Sequence, residues 1–335
     1  MMREGSQGRF RVSSSAGLGR GRAVVDADIV LREPKADPDR DPGAFAAEML
    51  AICVDGGVSL LFPQRGAIAI ADHVEAFNKA GIDVLTAGNG DTLRLLDDKW
   101  NFTVETARAG LPIAITRHVS SVASFDEHVA EIRDMGLEAC VKPPIGVYGA
   151  GYWMLDDSIS LFEQMMDPDA RRLATRVMRE AVGTAKPTDR LLVCEYLPGD
   201  EWSVDAACHE GEVLTAVARV KHKRTRTLHV DGPAIDIARA TIALFGLSGI
   251  VNVQMKERAD GTPALLEVNA RMSGGCMMTA FAGVNIPHVG IANRLGLIDP
   301  RTLPRPVGGI QVSAVDDAVA IGERRVNFSE LDFRN

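Results

Sequence analysis

The chain has 335 residues, of which 46% are hydrophobic and 24% charged, a composition typical of a soluble globular protein with two or three domains. Its formal net charge of −8 argues against a surface that binds nucleic acid or anionic membranes. No apolar run approaches the roughly 18–20 residues needed to span a bilayer, and residues 1–15 lack the apolar segment of a secretory signal.

The five cysteines are widely spaced, lie mostly within apolar runs and form no CxxC motif. This pattern predicts small buried side chains in a reducing cytoplasm, and it argues against a disulfide framework or a zinc site. The histidines show no HExxH spacing and the chain has no GxSxG motif, which excludes zinc-enzyme and serine-hydrolase readings. The cysteines are Cys53, Cys140, Cys194, Cys208 and Cys276.

Residues 24–98 alternate between strand and helix patterns, which predicts a parallel sheet covered on both faces. The first helix begins at an Asp41-Pro42 cap, and a second helix places Ile70, Val74 and Phe77 at helical spacing. A polar leader precedes the first candidate strand, at 23–31. We therefore expect no dinucleotide fingerprint, and the usual opening strand and glycine turn are missing from the pattern.

The middle of the chain predicts helices over 91–109, 126–135 and 157–180, the second with a capping box of Ser124 and Glu127. A strand over 138–142 follows the second of these helices. It leads into the loop Lys142-Pro-Pro-Ile-Gly-Val-Tyr-Gly-Ala-Gly151, whose glycines allow close backbone approach to a ligand. Because this is neither a Walker A nor a GxGxxG sequence, the loop alone fits a flexible surface turn better than a phosphate site.

Strands are predicted at 191–195, 202–208 and 212–220, followed by a helix over 233–245. Arg219 and Lys221 share one side of the third strand and are candidates to bind an anion, whereas 223–226 reads as a solvated basic loop. Later elements are a helix opening at Ser273-Gly-Gly275, a helix from Pro287 to Leu295, and one or two strands over 308–323.

A β-hairpin is predicted over 249–275, with its tip at Asp260-Gly261. Alternation places amide, carboxylate and guanidinium side chains on one face, and a tip at 260–261 sets Gln254 opposite Glu267. Oxygen ligands of this kind suit Mg²⁺, although a plain solvated face is nearly as good an explanation. The residues of this face are Asn252, Gln254, Glu267, Asn269 and Arg271.

Taken in order, four segments resemble the ATP-grasp superfamily of ADP-forming ligases. They are DDKWNFTVETARAGLPI around Lys99, CVKPPIGVYGAG at Lys142, LVCEYLPGDEWSVD at 192–205, and NVQM with LLEVNARMSGG in the hairpin. They extend from about residue 97 to residue 285. The last segment most resembles carbamoyl-phosphate synthetase-like and tellurite-cluster-associated ATP-grasp proteins, in which glutamine stands on the first metal strand.

The resemblance implies a role for each matching residue. Two lysines would hold the phosphates of ATP, a glycine loop would form a mobile lid, a linker would border adenine, and a glutamate would bind ribose. These residues, in that order, are Lys99 and Lys142; Gly146, Tyr148, Gly149 and Gly151; Glu195, Tyr196 and Leu197; and Glu201. The implied magnesium ligands are Gln254, Glu267 and Asn269, and Arg271 would steady the transferred phosphoryl group. Arg219 and Lys221 join the cofactor-binding set on the strength of their shared strand face.

The implied fold is α/β plus α+β and has three parts. These are an N-terminal parallel α/β domain at 1–98, a small central lid domain at 99–190, and a C-terminal antiparallel-sheet domain at 191–335. ATP would lie between the last two. The missing first strand implies that the N-terminal domain is truncated or atypical. In the metal site, Gln254 replaces a carboxylate that many relatives carry.

The implied activity is that of an ATP-dependent carboxylate–amine ligase, in which Mg-ATP converts a carboxylate into an acyl phosphate that an amine then attacks. Mn²⁺ is an alternative metal, the partners are small-molecule carboxylate and amine substrates, and a homodimer is left open. Two other functions stay open: phosphorylation of bicarbonate or carbamate as in carbamoyl-phosphate synthetases, and a non-catalytic ATP-binding regulatory module.

Overall fold

The structure, a computed structural model, describes residues 10–15, 27–146, 149–186 and 189–314. The chain divides into two compact units. Unit 1 consists of residues 1–94, 202–253 and 268–335, and unit 2 consists of residues 95–201 and 254–267. Helices, short parallel strand pairs and antiparallel sheets occur together, which confirms the predicted mixed fold class. The division into three domains at 1–98, 99–190 and 191–335 stays a prediction.

The described residues form the following elements. The helices are α1 (Pro42–Asp55), α2 (Ala67–Asp72), α3 (Val74–Lys79), α4 (Gly90–Asp97), α5 (Lys99–Arg108), α6 (Val122–Asp134), α7 (Leu161–Met166), α8 (Thr175–Gly183), α9 (Pro233–Leu244) and α10 (Ile286–Arg294). The strands are β1 (Ser13–Ser15), β2 (Ile29–Leu31), β3 (Leu60–Leu61), β4 (Asp83–Val84), β5 (Thr116–Val119), β6 (Ala139–Lys142), β7 (Trp153–Leu155), β8 (Arg172–Leu173), β9 (Leu191–Glu195), β10 (Glu201–His209), β11 (Glu212–His222), β12 (Thr225–His229), β13 (Gly249–Glu257), β14 (Pro263–Asn269) and β15 (Gln311–Ser313).

The N-terminal part of unit 1 contains two parallel strand pairs, β1–β2 and β3–β4, in place of the single sheet that the sequence predicted. The strand β1 corrects the expectation that the first strand is missing. Helix α1 begins as predicted, because the Asp41 side chain accepts a hydrogen bond from the Ala44 amide and Pro42 takes the first helical position. Phe45 and Phe77 are fully buried in the core of this region.

The largest sheet has six strands in the order β14-β13-β10-β11-β12-β15. The segments 249–253 and 268–269 of this sheet belong to unit 1, and the hairpin 254–267 belongs to unit 2. Strand β11 pairs with both β10 and β12 in antiparallel fashion, so Ser203 lies opposite Arg219 and Lys221 opposite Arg226. Strand β12, which begins within the segment 223–226 that was predicted as a solvated loop, was not expected.

Unit 2 is built on a five-stranded sheet in the order β5-β9-β6-β7-β8. Strand β9 lies between β5 and β6, both antiparallel to it. Phe125 and Ile132 of α6 are fully buried against apolar side chains of this sheet, and together they form the core of the unit. The opposite face of the sheet, which carries both Cys140 and Lys142, therefore points away from α6.

Several predicted helices differ from the observed ones. Helix α6 begins earlier than expected, because Ser121 is the N-cap and Ser124 occupies the third position of its capping box. The predicted helix 157–180 is divided into α7, a short 3₁₀ segment, β8 and α8, since Pro168 disfavours a helical conformation at the residue before it. The predicted second helix is likewise two helices, α2 and α3.

The remaining expectations concern the C-terminal region. Residues 276–282 form a 3₁₀ helix without a side-chain cap, so Ser273 does not serve as the predicted helix cap. Strand β15 confirms part of the predicted strand region 308–323, and the rest of that region, from residue 315 on, lies outside the described residues. In the described part of the chain, no helix is both long enough and apolar enough to span a bilayer.

Candidate functional site

Lys99 and Glu267, which the resemblance assigns to phosphate and to magnesium, form an ion pair in unit 2. The distance from Lys99 Nζ to Glu267 Oε2 is 3.1 Å, and the two side chains are 13% and 27% exposed. Lys99 opens helix α5, whose first amides are capped by the Asp98 carboxylate. The ammonium group also donates a hydrogen bond of 2.9 Å to the Gly146 carbonyl. One cation thus contacts both the predicted metal carboxylate and the predicted lid.

The glycine loop is held at two further points within unit 2. The backbone amide of Lys99 donates to the Pro144 carbonyl at 2.9 Å, and the Arg171 guanidinium donates to the Gly149 carbonyl. Gly149 has a φ of 65°, a left-handed conformation that favours glycine. Tyr148, another predicted cofactor-binding residue, lies outside the described residues.

Lys142 ends strand β6 and is half-buried. Two residues earlier on the same side of the strand, Cys140 lies directly opposite Cys194 of β9. Both thiols are buried and neither is in a disulfide, and the Cys140 thiol donates to the Glu195 carbonyl at 3.5 Å. The neighbouring Cys140 thiol, together with the charge of Lys142, lowers the pKa of the Cys194 thiol, whereas Cys194 and burial raise the pKa of Cys140. The predicted phosphate lysine therefore shares its sheet face with a thiol pair that sequence reasoning had treated only as core.

The predicted adenine linker consists of Glu195, Tyr196 and Leu197. The Glu195 side chain is 2% exposed and accepts a hydrogen bond of 2.7 Å from Nη2 of Arg258. Tyr196 has the Lys256 ammonium 4.8 Å from its ring centroid, a cation–π contact. Leu197 is buried, with small apolar side chains around it. Because the Glu195 carboxylate is already bound, this segment would offer a ligand its backbone and the tyrosine ring.

Unit 1 contains a second polar cluster with a buried centre, which we call the Asp205 network. Asp205 accepts from Arg219 Nε at 2.8 Å, from Asn252 Nδ2 at 2.9 Å and from the Ser273 hydroxyl at 2.7 Å. The Arg219 and Asp205 side chains are 8% and 1% exposed. Ser203 completes the cluster by accepting from Arg219 and Asn252. Arg219, a predicted cofactor-binding residue, and Asn252, from the polar face of the predicted hairpin, are thus bound within the protein interior.

Gly275 is required as glycine by this network. A Cβ atom at that position would lie 2.2 Å from Nη1 of Arg219. The Ser273 hydroxyl lies between the two charged groups, since it also accepts from Arg219 Nη2 at 3.0 Å. The network therefore fixes the segment 273–275, which follows Arg271, the residue predicted to steady the phosphoryl group. Arg271 itself is half-buried and donates to the Met272 carbonyl at 3.3 Å.

The predicted magnesium ligands lie on the hairpin that the structure confirms, because β13 and β14 are neighbours in the sheet. Gln254, Glu267 and Asn269 are each half-buried. The pairing of Gln254 with Glu267 stays a prediction. The donor set of one carboxylate and two amide oxygens fits Mg²⁺, which commonly takes one or two carboxylates plus substrate phosphates. Among the described residues, no cluster of three or more His, Cys, Asp or Glu forms a metal site.

Two further predicted residues lie apart from these contacts. Glu201 is half-buried at the first position of β10, and Lys221 is exposed near the end of β11. The residues that sequence reasoning missed are Asp205, Ser203, Arg258 and the pairing of Cys140 with Cys194. Only Asp205 carried a signal, as the acidic end of the segment that resembled ATP-grasp ligases.

Comparison with known proteins shows a family similarity in the C-terminal part of the chain. A family model described as "ATP-grasp in the biosynthetic pathway with Ter operon" matches residues 187–318. This match contains β9 to β15, with the Asp205 network and the β13–β14 hairpin. This part of the chain is therefore similar to ATP-grasp proteins. No curated protein matches the chain significantly.

Several solved structures share this fold. An L-amino acid ligase from Bacillus licheniformis aligns with a TM-score of 0.55 and 14% identity, over 83% of this chain and 66% of that one. A biotin carboxylase from Campylobacter jejuni aligns at 0.59 and 15%, over 84% and 64%. The biotin carboxylase domain of 2-oxoglutarate carboxylase from Hydrogenobacter thermophilus, in complex with MgADP, ADP and bicarbonate, aligns at 0.58 and 15%, over 85% and 63%. The chain spans less than two thirds of the length of each of these relatives, and at such identity the likeness concerns the fold.

Proposed function

We propose that the chain is an ADP-forming ligase that activates a carboxylate with Mg-ATP and transfers the acyl group to an amine. The observation that carries this proposal is the 3.1 Å contact between Lys99 and Glu267. Two residues that the resemblance assigned to one reaction centre, from opposite ends of the motif series, are in contact within one unit. A half-buried lysine beside a half-buried carboxylate suits a reaction centre of this kind. Bound phosphate would replace Glu267 as the counter-charge of Lys99, and Mg²⁺ would replace Lys99 as the counter-charge of Glu267.

The residues of this chain would act by position and charge. Lys99 and Lys142 would bind the phosphates, and Glu267 with the amides of Gln254 and Asn269 would hold Mg²⁺. The metal would supply charge neutralisation on the phosphates. Arg271, on the segment fixed by the Asp205 network, would stabilise the phosphoryl group as it passes to the carboxylate. Phosphoryl transfer needs little covalent help from a protein, so such positioning accounts for most of the rate.

The products follow from that chemistry. The γ-phosphoryl group passes from ATP to a carboxylate oxygen, which gives an acyl phosphate and ADP. The amine then attacks the acyl carbon and releases phosphate. Formation of ADP and phosphate from ATP in equal amounts, with no AMP, would distinguish this route from that of an adenylating ligase.

Two other functions are tested by the same assay. The Hydrogenobacter relative is described in complex with bicarbonate, so a bicarbonate-phosphorylating enzyme is the first of them. The second is an ATP-binding module without turnover. Both would use the same Lys99–Glu267 centre, and they differ from a ligase only in what accepts the phosphoryl group.

The experiment is ADP release by the full chain across a library of carboxylates paired with amines, with mass spectrometry of any condensation product. We expect ADP release that requires both a carboxylate and an amine. ADP release that requires bicarbonate and no amine would assign the first alternative. ATP binding without ADP release under any pair would contradict an enzyme and leave the binding module.

A further inference from the structure

The tip of the β11–β12 hairpin in unit 1 concentrates positive charge. Lys221 lies directly opposite Arg226 in the antiparallel register, and the two-residue connection between the strands is Lys223-Arg224. Like charges directly opposite each other on neighbouring strands are destabilising, and adjacent cations in the turn add to the repulsion. The sequence had predicted a solvated loop here, whereas the structure places these side chains on a short ordered hairpin.

The backbone of this turn is also unfavourable for the residue it carries. Lys223 has a φ of 51°, in the left-handed region where glycine or asparagine is the usual occupant of a hairpin turn. Arg226 Nη1 donates to the Thr225 carbonyl at 2.9 Å and to the Lys223 carbonyl at 3.4 Å. The arginine is therefore held over the turn. Charge is concentrated at this point at a cost in local conformation.

The cationic turn, by which we mean Lys223, Arg224 and Arg226, borders a cavity of about 500 Å³. The other side chains of the cavity wall are uncharged, and they belong to Met278, Ser313 and Ala314. Within the described part of the chain, none of the three basic residues forms an ion pair. In a chain of net charge −8, the turn thus brings three cations together without a carboxylate partner among the described residues.

We propose that the cationic turn binds the phosphate group of a small molecule. Two arginines and a lysine supply the charged donors that recognise phosphate, and a cavity of this volume accommodates a small ligand. The acidic character of the chain as a whole disfavours a nucleic acid or an anionic membrane as the occupant.

The position of the turn indicates what that molecule does. Arg219 and Lys221 are two residues apart and therefore lie on the same side of β11. The charged face thus runs from the Asp205 network toward the turn within unit 1. The Asp205 network fixes the segment that follows Arg271. We infer that the phosphate-bearing molecule is a substrate of the reaction, and this second step rests on the proposed ligase function.

The test is calorimetric titration of the full chain with inorganic pyrophosphate, in the absence of nucleotide. The variant Lys223→Asn/Arg224→Ser removes two charges, and asparagine tolerates the left-handed backbone at 223. The control Lys79→Ser/Arg239→Ser removes two exposed cations of unit 1 that are outside the turn and in no ion pair of the described residues. Lys142→Met serves as a second background, because pyrophosphate could also occupy the proposed ATP-phosphate site.

We expect the turn variant to bind pyrophosphate at the turn at least about tenfold more weakly than the unaltered chain does. The control variant and Lys142→Met should retain that binding. The affinity should also fall with added salt. Equal affinity in the turn variant and the control would overturn the anion site, provided that both have the thermal midpoint of the unaltered chain. Should the double variant unfold, the single change Arg224→Ser, on a fully exposed turn position, gives the same comparison with Arg239→Ser.

A titration with citrate at matched charge separates phosphate from polycarboxylate binding, and preference for citrate would contradict the phosphate class. The proposal of an anion site and the proposal of a ligase can be refuted independently. A chain that binds pyrophosphate at the turn but releases no ADP with any substrate refutes the ligase and keeps the anion site. A chain that releases ADP while its turn variants bind pyrophosphate as the control does refutes the anion site alone.

Discussion

The two charged clusters of this chain differ in how completely the protein satisfies them. In the Asp205 network, each charged side chain is less than a tenth exposed and the carboxylate accepts three hydrogen bonds from protein groups. In the Lys99–Glu267 pair, the glutamate is 27% exposed and the lysine has a carbonyl as its other acceptor. The first cluster is closed to a ligand, whereas the second can exchange its partners for one.

This difference matters because burial changes what an ion pair contributes. Two charges removed from water repay their desolvation only when the geometry is good and the remaining donors and acceptors are satisfied. Loss of one partner then leaves a buried charge with no counter-charge. A partly exposed pair loses little on separation, so phosphate and metal can compete for its members. Closed clusters should therefore control stability, and open ones activity.

The sharpest way to break this comparison is to remove the carboxylate of the closed cluster. Asp205→Asn leaves the buried Arg219 without a counter-charge, and we expect it to destabilise the fold by roughly 3–5 kcal/mol. The measurement is urea unfolding followed by circular dichroism. The double variant Asp205→Leu/Arg219→Met, which removes both charges, should be less destabilised than the single variant. A single variant as stable as the unaltered chain would show that the cluster is not energetically closed.

The open pair should respond in the opposite sense. Glu267→Gln is nearly isosteric, and we expect it to reduce ADP formation by roughly 10²–10³-fold or more while the unfolding midpoint changes little, because Mg²⁺ loses its anionic ligand. The matched control is Glu257→Gln, the same change on the same hairpin, with ADP release as the measurement. If Glu267→Gln makes ADP at the unaltered rate, both the metal site and the proposed function fail.

Lys142 sharpens the comparison between phosphate and adenine contacts. Lys142→Met removes a charged hydrogen-bond donor worth roughly 1.5–3 kcal/mol, which is about ten- to hundredfold in affinity. We expect ATP binding to weaken by that factor, whereas adenosine binding stays nearly unchanged, as measured by calorimetry. Lys186→Met, at an exposed position of the same unit, is the control. Equal weakening for ATP and adenosine would argue against a phosphate role.

The open pair could be anticipated from the sequence better than the closed cluster. Local alternation and an Asp-Gly turn were enough to predict the β13–β14 hairpin, and the motif order placed Lys99 and Glu267 in one function. The Asp205 network joins residues up to 68 positions apart, such as Asp205 and Ser273. No local pattern reports such a pairing, since it depends on which strands become neighbours in the sheet.

The misplaced helices have a local cause. The charged run 157–180 has the composition of a helix, and the signal against it was a single proline. Pro168 disfavours a helical Asp167, and Arg171 then adopts a left-handed φ of 50°. The capping serine was misassigned because Ser121 and Ser124 both fit a cap, and only the side-chain contacts of the fold decide between them. Composition thus predicted the class of these elements, and single residues set their ends.

The smallest effect is expected at an ion pair that is open and has no role in the proposed chemistry. Arg294 donates two hydrogen bonds of 2.6 Å to the Asp83 carboxylate, with side chains 40% and 36% exposed. These hydrogen bonds lower the pKa of Asp83 below its ordinary value, against the opposing effect of burial. Because solvent screens the pair, Asp83→Asn should cost at most ~1 kcal/mol of unfolding free energy at pH 7.

The pH dependence of that cost follows from the sign of the shift. A carboxylate whose pKa is depressed by folding stabilises the fold at pH values above its ordinary pKa of 3.8, and this contribution is lost as the pH falls through the lower, folded-state value. The difference between Asp83→Asn and the unaltered chain should therefore be constant from about pH 7 to pH 5 and shrink below 3.8. Urea midpoints measured across that range, at low and at high salt, check this. A cost at pH 7 that matched that of Asp205→Asn would mean that exposure does not separate the closed cluster from the open pairs, and the comparison itself would have to be abandoned.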